Sequence, residues 1–176
     1  MLEIRIHGKG GQGAVTAAEV LAIAAFHDGK FSQAFPSFGP ERSGAPVEAY
    51  CRIDDNFIDL RTHIYEPDYL IVLDASLLSV IDITKGLKRN GVIVINSDEK
   101  IKSDFMVFNI DAKKIALDIL GRPIVNTAML GAFAKATKLV TMKSLEEALK
   151  EKFEGKTLEK NIQAVKKAYE ETKIIG

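Results

Sequence analysis

The densest concentration of chemistry in this 176-residue chain is Gly8-Lys9-Gly10-Gly11-Gln12-Gly13. Glycines 8, 10 and 13 fit the spacing G-x-G-x-x-G. In that pattern the first allows a sharp turn, the second lets backbone approach a ligand, and the third lets a helix pack on a strand. The chemistry is anion binding: backbone N–H groups and the positive end of a helix dipole converge on one point without needing a charged side chain. The other reading is a tight βα turn that uses glycine merely to turn. Lys9 either reinforces the anion or is solvated. Gln12, including its amide, either orients a ligand by donating and accepting hydrogen bonds or caps the helix.

A second candidate segment runs from Phe35 to Pro46 (FPSFGPERSGAP) and holds three of the five prolines. A connection this long and stiff is more than a plain fold requires, and such loops are usually functional. Arg42 can clamp a phosphate or carboxylate through two parallel hydrogen bonds, with Ser37 or Ser43 bonding the same group; its alternative is an ion pair with Glu41 or a neighbour. Asp74, Asn96 and Asn126 fall where strands end or helices begin, so each is a ligand contact or an ordinary cap. General acid–base chemistry would rest on His7, Glu41 or Asp74, all of which have structural explanations. His7, His27 and His63 are scattered, and no metal-spaced cluster, G-x-S-x-G elbow or Walker lysine accompanies them. Cys51, alone and within a strand-like run, reads as a buried inert thiol.

These residues need a frame to hold them at one edge. Leu2 to His7 alternates as a strand and Ala14 to Ala25 is rich in helix formers, closing near His27-Asp28-Gly29. Lys30 to Phe35 is expected to be a second parallel strand completing a βαβ unit. Val47 to Ile53 and Phe57 to Leu60 suggest a hairpin around Asp54-Asp55-Asn56. Tyr69 to Asp74, Val92 to Asn96 and Phe105 to Ile110 read as buried strands, with a helix over 76–90 between the first two. Helices are expected over 111–120, over 126–139 with many small residues, from a Ser144/Glu147 capping box to Phe153, and over 158–175 with a solvated, charged face. The fold class is therefore α/β: a single Rossmann-like domain spanning residues 1–176. Its sheet is mostly parallel with an antiparallel hairpin, and helices cover both faces.

Composition narrows the function. Hydrophobic residues make up 47% and charged ones 27%, ordinary for a globular protein. Twenty-four basic residues balance twenty-four acidic ones, so net charge recruits neither nucleic acid nor an anionic membrane. No apolar run approaches the ~20 residues of a membrane span, and the expected location is cytoplasmic. A nicotinamide-binding domain wants an Asp or Glu ~20 residues past the glycines; this chain offers Ala34, Phe35 and Pro36.

Four blocks occur in an order that matches a known family: Gly8-Lys-Gly-Gly-Gln-Gly13; Gln33-Ala-Phe-Pro-Ser-Phe-Gly-Pro-Glu-Arg42 with Gly44-Ala-Pro46; Glu66-Pro-Asp68; and Asn126-Thr-Ala-Met-Leu-Gly-Ala132. On these blocks the chain resembles the gamma subunit of pyruvate:ferredoxin oxidoreductase and related 2-oxoacid:ferredoxin oxidoreductases, and the resemblance covers nearly the whole sequence. The resemblance implies a complex that oxidatively decarboxylates a 2-oxoacid with coenzyme A, giving acyl-CoA, carbon dioxide and reduced ferredoxin. It implies thiamine diphosphate and [4Fe–4S] clusters on partner subunits of alpha, beta and delta type, with ferredoxin as electron acceptor. One cysteine cannot ligate such clusters, and no thiamine-diphosphate signature is present. By the same resemblance, Gly8, Gly10, Gly11, Gln12 and Gly13 approach the phosphates of coenzyme A, Arg42 pairs with one, and Glu41 shapes the loop. Many members carry a second arginine where this chain has Ser43, so one charge contact is expected to be missing. The proline block leans toward pyruvate or branched-chain substrates.

Two other functions fit the motifs: an independent NAD-type oxidoreductase, and an assembly subunit that binds no nucleotide.

Overall fold

A computed structural model describes residues 1–37 and 42–175. One seven-stranded sheet runs in the order β2-β3-β1-β4-β5-β6-β7. The strands are β1 (Leu2–Lys9), β2 (Phe31–Pro36), β3 (Pro46–Asp54), β4 (Tyr69–Val72), β5 (Val92–Asn96), β6 (Met106–Ile110) and β7 (Lys173–Ile174). Strands β1, β4, β5 and β6 are mutually parallel and form the centre. The helices are α1 (Ala14–His27), α2 (Ala112–Leu120), α3 (Asn126–Thr137), α4 (Met142–Lys152) and α5 (Gly155–Glu171).

The α/β class and the parallel centre follow from the periodicities, but the sheet is wired differently at its edges. Lys30 to Phe35 does form a strand, yet β3 inserts between it and β1. β2 therefore pairs only with β3, antiparallel, from Phe31↔Asp54 to Pro36↔Ala49. β3 in turn pairs antiparallel with β1, Leu2↔Ile53 through Lys9↔Pro46. The antiparallel hairpin is thus β2–β3, joined through the proline segment. Residues 57–60 form no strand, because the buried Arg52 guanidinium donates to the carbonyl oxygens of Leu60 at 3.5 Å and Thr62 at 2.6 Å and holds this stretch across the sheet face.

All five α-helices contribute to one core on one face of the sheet, against Ile4, Ile6, Ala49, Cys51, Ile53, Ile71, Leu73, Val94 and Ile110. The small residues of α3 serve α5: a side chain on Gly131 would meet the Val165 carbonyl oxygen at 2.1 Å. The opposite face was expected to carry a helix over 76–90. It carries only a 3₁₀ helix, Ala75–Ser79, followed by turns that bury Leu77, Ile83 and Leu87 against Leu70, Val72, Ile93 and Ile95. A longer helix there is prevented by Arg5, whose Nη2 donates to the carbonyl oxygens of Ile83 at 2.9 Å and Lys85 at 2.7 Å. Two shorter corrections concern caps. α4 begins three residues before the expected capping box, with Thr141 Oγ1 accepting from the Ser144 N–H. α5 stops at Glu171, and the chain ends as β7 against β6.

Candidate functional site

The carboxyl ends of β1, β4, β5 and β6 share one edge of the sheet, where ligands bind in open α/β folds. The antiparallel run of β3 brings Pro46 opposite Lys9, so the proline segment reaches the same edge. The sequence-predicted residues are therefore brought together there, but most are engaged with one another. Gly8 lies in β1. Gly10 permits a close approach, though of the chain to itself: a Cβ on it would stand 2.2 Å from the Arg42 carbonyl oxygen. Gly10 N–H donates to Ala45 O at 2.9 Å and Gly44 N–H to Gly10 O at 3.2 Å, clasping the two loops. Gly11 is exposed. Gly13 stands at the N-cap of α1 with φ 77° and no side-chain cap. Asn126 opens α3 and covers it, donating Nδ2 to Gly13 O at 3.3 Å.

Gln12 joins the glycine loop to the next strand. Its Oε1 accepts from the Lys9 N–H at 2.7 Å and its Nε2 donates to Asp74 Oδ2 at 2.9 Å. Asp74 follows β4, caps the 3₁₀ helix through Ser76 N–H at 3.0 Å, and pairs with Lys9 Nζ at 3.1 Å. Burial raises the Asp74 carboxyl, but hydrogen bonds from Ser76, Gln12 and Lys9 outweigh it and hold the group well below the usual carboxylate range. Asp74 is a fixed anion, not a general acid. Asn96 is likewise occupied, donating to Leu73 O at 3.0 Å and accepting from Lys113 N–H at 3.3 Å. Arg42 is exposed beside the clasp, and Ser37 N–H donates to Glu48 O at 3.0 Å. Glu41 lies outside the described residues.

The first turn of α1 also lies at this edge, with Asn126 against its N-cap, Ala14 buried and Val15 and Thr16 half-buried. Its ladder begins with Ala17 N–H to Gly13 O, so the amides of Ala14, Val15 and Thr16 have no intrahelical partner. Two cavities flank it. One, of about 630 Å³, is the carboxyl-edge crevice, lined by Gln12, Asp74, Ser76, Asn96, Asp98, Asp111, Lys113, Lys114 and Asp118. The other, of about 410 Å³, lies toward α5 and is lined by Thr16, Asn126 and residues of α2, α5 and the segments before α3 and α5. Of the second lining the sequence singled out only Asn126; Lys160 fell within the stretch 158–175 read as a solvated face, and Arg122 and Lys156 carried no signal.

The remaining acid–base candidate, His7, is buried on the sheet face away from the helices. Arg5 Nε donates to His7 Nε2 at 3.0 Å, which places the ring proton on Nδ1, 3.6 Å from Glu48 Oε1. Burial lowers its pKa to about 4, with Glu48 pulling upward and Arg5 pushing further down. Tyr50 OH donates to Glu48 Oε2 at 2.7 Å, and burial with that bond pushes the phenol up to about 12. Cys51 lies in the core, where burial pushes its thiol up. Among the described residues no group of three or more His, Cys, Asp and Glu is placed to hold a metal ion, and no helix is long and apolar enough to cross a membrane.

The family model described as pyruvate ferredoxin/flavodoxin oxidoreductase matches residues 3–171. The chain belongs to that family. It is 56% identical over 172 residues to the pyruvate synthase subunit PorC of Methanocaldococcus jannaschii, covering 97% of both proteins. It is 54% identical over 182 residues to the pyruvate/ketoisovalerate oxidoreductases common subunit gamma of Pyrococcus furiosus, covering 99% of this chain and 98% of that one. Among solved structures, the pyruvate oxidoreductase subunit PORC of Thermotoga maritima superimposes with a TM-score of 0.87 at 33% identity, over 99% of this chain and 98% of that one. The similarity to separate gamma-type subunits is thus end to end, with β3 inserted in the sheet and the glycine and proline loops both inside the matched region.

Proposed function

We propose that this chain is the gamma subunit of a pyruvate-type 2-oxoacid:ferredoxin oxidoreductase, working with alpha, beta and delta-type subunits in the cytoplasm. The complex oxidatively decarboxylates a 2-oxoacid with coenzyme A, and ferredoxin carries away the electrons. The observation that carries this reading is the 56% identity, over 97% of both chains, to a pyruvate synthase subunit.

Within that complex the chain contributes coenzyme A phosphate binding and contacts with its partners, while thiamine diphosphate and the iron–sulfur clusters sit on those partners. Its own residues support such a division. The single thiol is buried, His7 is neutral and enclosed, and Asp74 is held by Gln12 and Lys9, so none of these three described groups is poised to transfer a proton. The chain presents instead two loops clasped by backbone hydrogen bonds beside the first turn of α1, a helix N-terminus that suits a polyanionic co-substrate.

The test is to tag the chain in its native host and purify it anaerobically. Co-purification of larger subunits with iron–sulfur absorbance and pyruvate- and coenzyme-A-dependent ferredoxin reduction is expected; a colourless, lone protein would overturn the reading. The coenzyme A role is tested separately with Arg42→Met, since Arg42 is exposed and its loss leaves the clasp intact. The expected result is an assembled complex with KM for coenzyme A raised roughly tenfold and kcat preserved, the loss of one charge-assisted contact. An unchanged KM would remove Arg42 from the site.

A further inference from the structure

The face of β2, β3 and β1 turned away from the helices is crossed by residues 55–66, a stretch with neither helix nor strand. Its backbone is pinned from beneath. Arg52, only 1% exposed, donates to the carbonyl oxygens of Leu60, Thr62 and His63 at 3.5, 2.6 and 3.4 Å, and its Nε donates to Glu3 at 2.9 Å. Aromatic rings extend the anchorage. Phe35, Tyr50, His63 and Tyr65 follow one another at centroid distances of 5.1, 5.4 and 6.3 Å, and Phe57 meets Phe31 of β2 edge to face at 6.3 Å.

This pinned stretch turns large apolar side chains outward. Phe57 is 76% exposed, Tyr65 72% and Leu60 43%, with Phe31 beside them at 47%. At roughly 200 Å² per aromatic side chain, the four expose about 450 Å² of largely apolar surface. A standard protein interface buries about 800 Å² on each partner, a little over half of it apolar. The patch therefore supplies the apolar share of one such interface. Because its backbone is already fixed, covering it costs little further ordering.

The charges beside the patch select its occupant. Leu60 stands between Asp59 and Arg61, both exposed. An Asp-Leu-Arg run is its own complement: two copies meeting about a two-fold axis at Leu60 set Asp59 of each against Arg61 of the other. That is the isologous condition, in which one patch serves both sides of the contact. We propose that this helix-free face is a self-association surface on which a second copy of this chain docks, with Leu60 at the axis, Asp59 and Arg61 paired across it, and Phe57, Tyr65 and Phe31 buried around them. The inference rests on this surface and is independent of the reaction proposed above.

The experiment is sedimentation equilibrium of the full chain over roughly 1–200 μM, a span that covers micromolar association. A dimer is expected. Leu60→Asp should weaken it at least about tenfold with an unchanged circular dichroism spectrum, since Arg52 holds the backbone carbonyl of residue 60 and not its side chain. Asp59→Arg and Arg61→Asp each set like charges across the axis and should weaken self-association likewise, whereas the two variants mixed are complementary and should associate with each other. A chain that stays monomeric throughout, a dimer indifferent to Leu60→Asp, or a mixture of the charge variants that fails to associate would overturn the proposal. So would a monomeric chain whose Tyr65 is shielded from oxidative footprinting in the purified complex, which would give the face to a different subunit.

Discussion

The two faces of β1 and β3 are buried to a similar degree by opposite means. Toward the helices, Ile4, Ile6, Ala49, Cys51 and Ile53 are enclosed by apolar side chains, with Phe133 of α3 wholly buried in the same core. On the other face, Arg5, His7, Tyr50 and Arg52 are between 1% and 6% exposed, although three of them are basic. Apolar burial is non-directional, so many partners satisfy it. Polar burial works only with specified partners: Arg52 has Glu3 at 2.9 Å and the Thr62 carbonyl at 2.6 Å, and Arg5 has His7 and two carbonyls. The helix side is thus held by volume and the other by a fixed wiring of donors and acceptors.

Paired substitutions put that contrast to the test. Phe133→Ala should cost about 3–5 kcal/mol through lost burial and a cavity, while Phe133→Leu, which keeps much of the volume, should cost clearly less. Arg52→Met also keeps volume, yet should cost about 3 kcal/mol, because Glu3 and the carbonyls of Leu60 and Thr62 lose their donor. Urea unfolding reads both. A neutral Arg52→Met would mean that this face too is held by packing alone.

The next effect belongs to His7. The unfolded chain takes up a proton as pH falls below the ordinary value of 6.5, whereas the folded chain resists until about 4. Falling pH across that window therefore favours unfolding. The contribution is fully present above 6.5 and about 3 kcal/mol of it is gone by pH 4. Replacing His7 by Gln should remove that share of the pH dependence between pH 7.5 and 4; an identical slope in both proteins would show that His7 is not what titrates.

The smallest effect separates two capping assignments on the helix side. Thr141→Ala should lower stability by about 1 kcal/mol, since Thr141 Oγ1 accepts from the Ser144 N–H at the start of α4. Ser144→Ala removes a different bond, from its hydroxyl to Asp28, so Thr141→Ser is the discriminating control: it keeps the accepting hydroxyl and should cost clearly less, and an equal loss would deny Thr141 the N-cap role.

Much of the frame was legible because it is local. Leu2 to Ala25 contains an alternating strand, a glycine turn and a helix-forming run in direct succession, and the apolar runs of β4 and β5 are those of strands covered on both faces. The edges were not legible. Phe57 to Leu60 alternates like a strand, but Phe57 and Leu60 are exposed and the stretch is tethered by Arg52 from another strand. Residues 76–90 have helical composition, but Arg5 claims the carbonyls of Ile83 and Lys85 that a helix would use. At the candidate site, the glycine and proline loops announced themselves by residue type. The cation-lined cavity did not, since lysines on a polar helix look alike until their partners are known.

The sequence by itself determined the parallel centre, the five α-helices, the glycine turn at a strand end and the family. These depend on propensity and periodicity over a few residues, or on blocks of identity. Tertiary structure alone decided that β3 enters between β1 and β2, that Arg5, His7 and Arg52 are enclosed, and that four carboxylates gather at one cavity while the other is lined by cations without a carboxylate. Residues 74, 98, 111 and 118 line one cavity and residues 122, 156 and 160 the other only because distant segments converge. Charge and desolvation act through space, and the chain order does not record those distances.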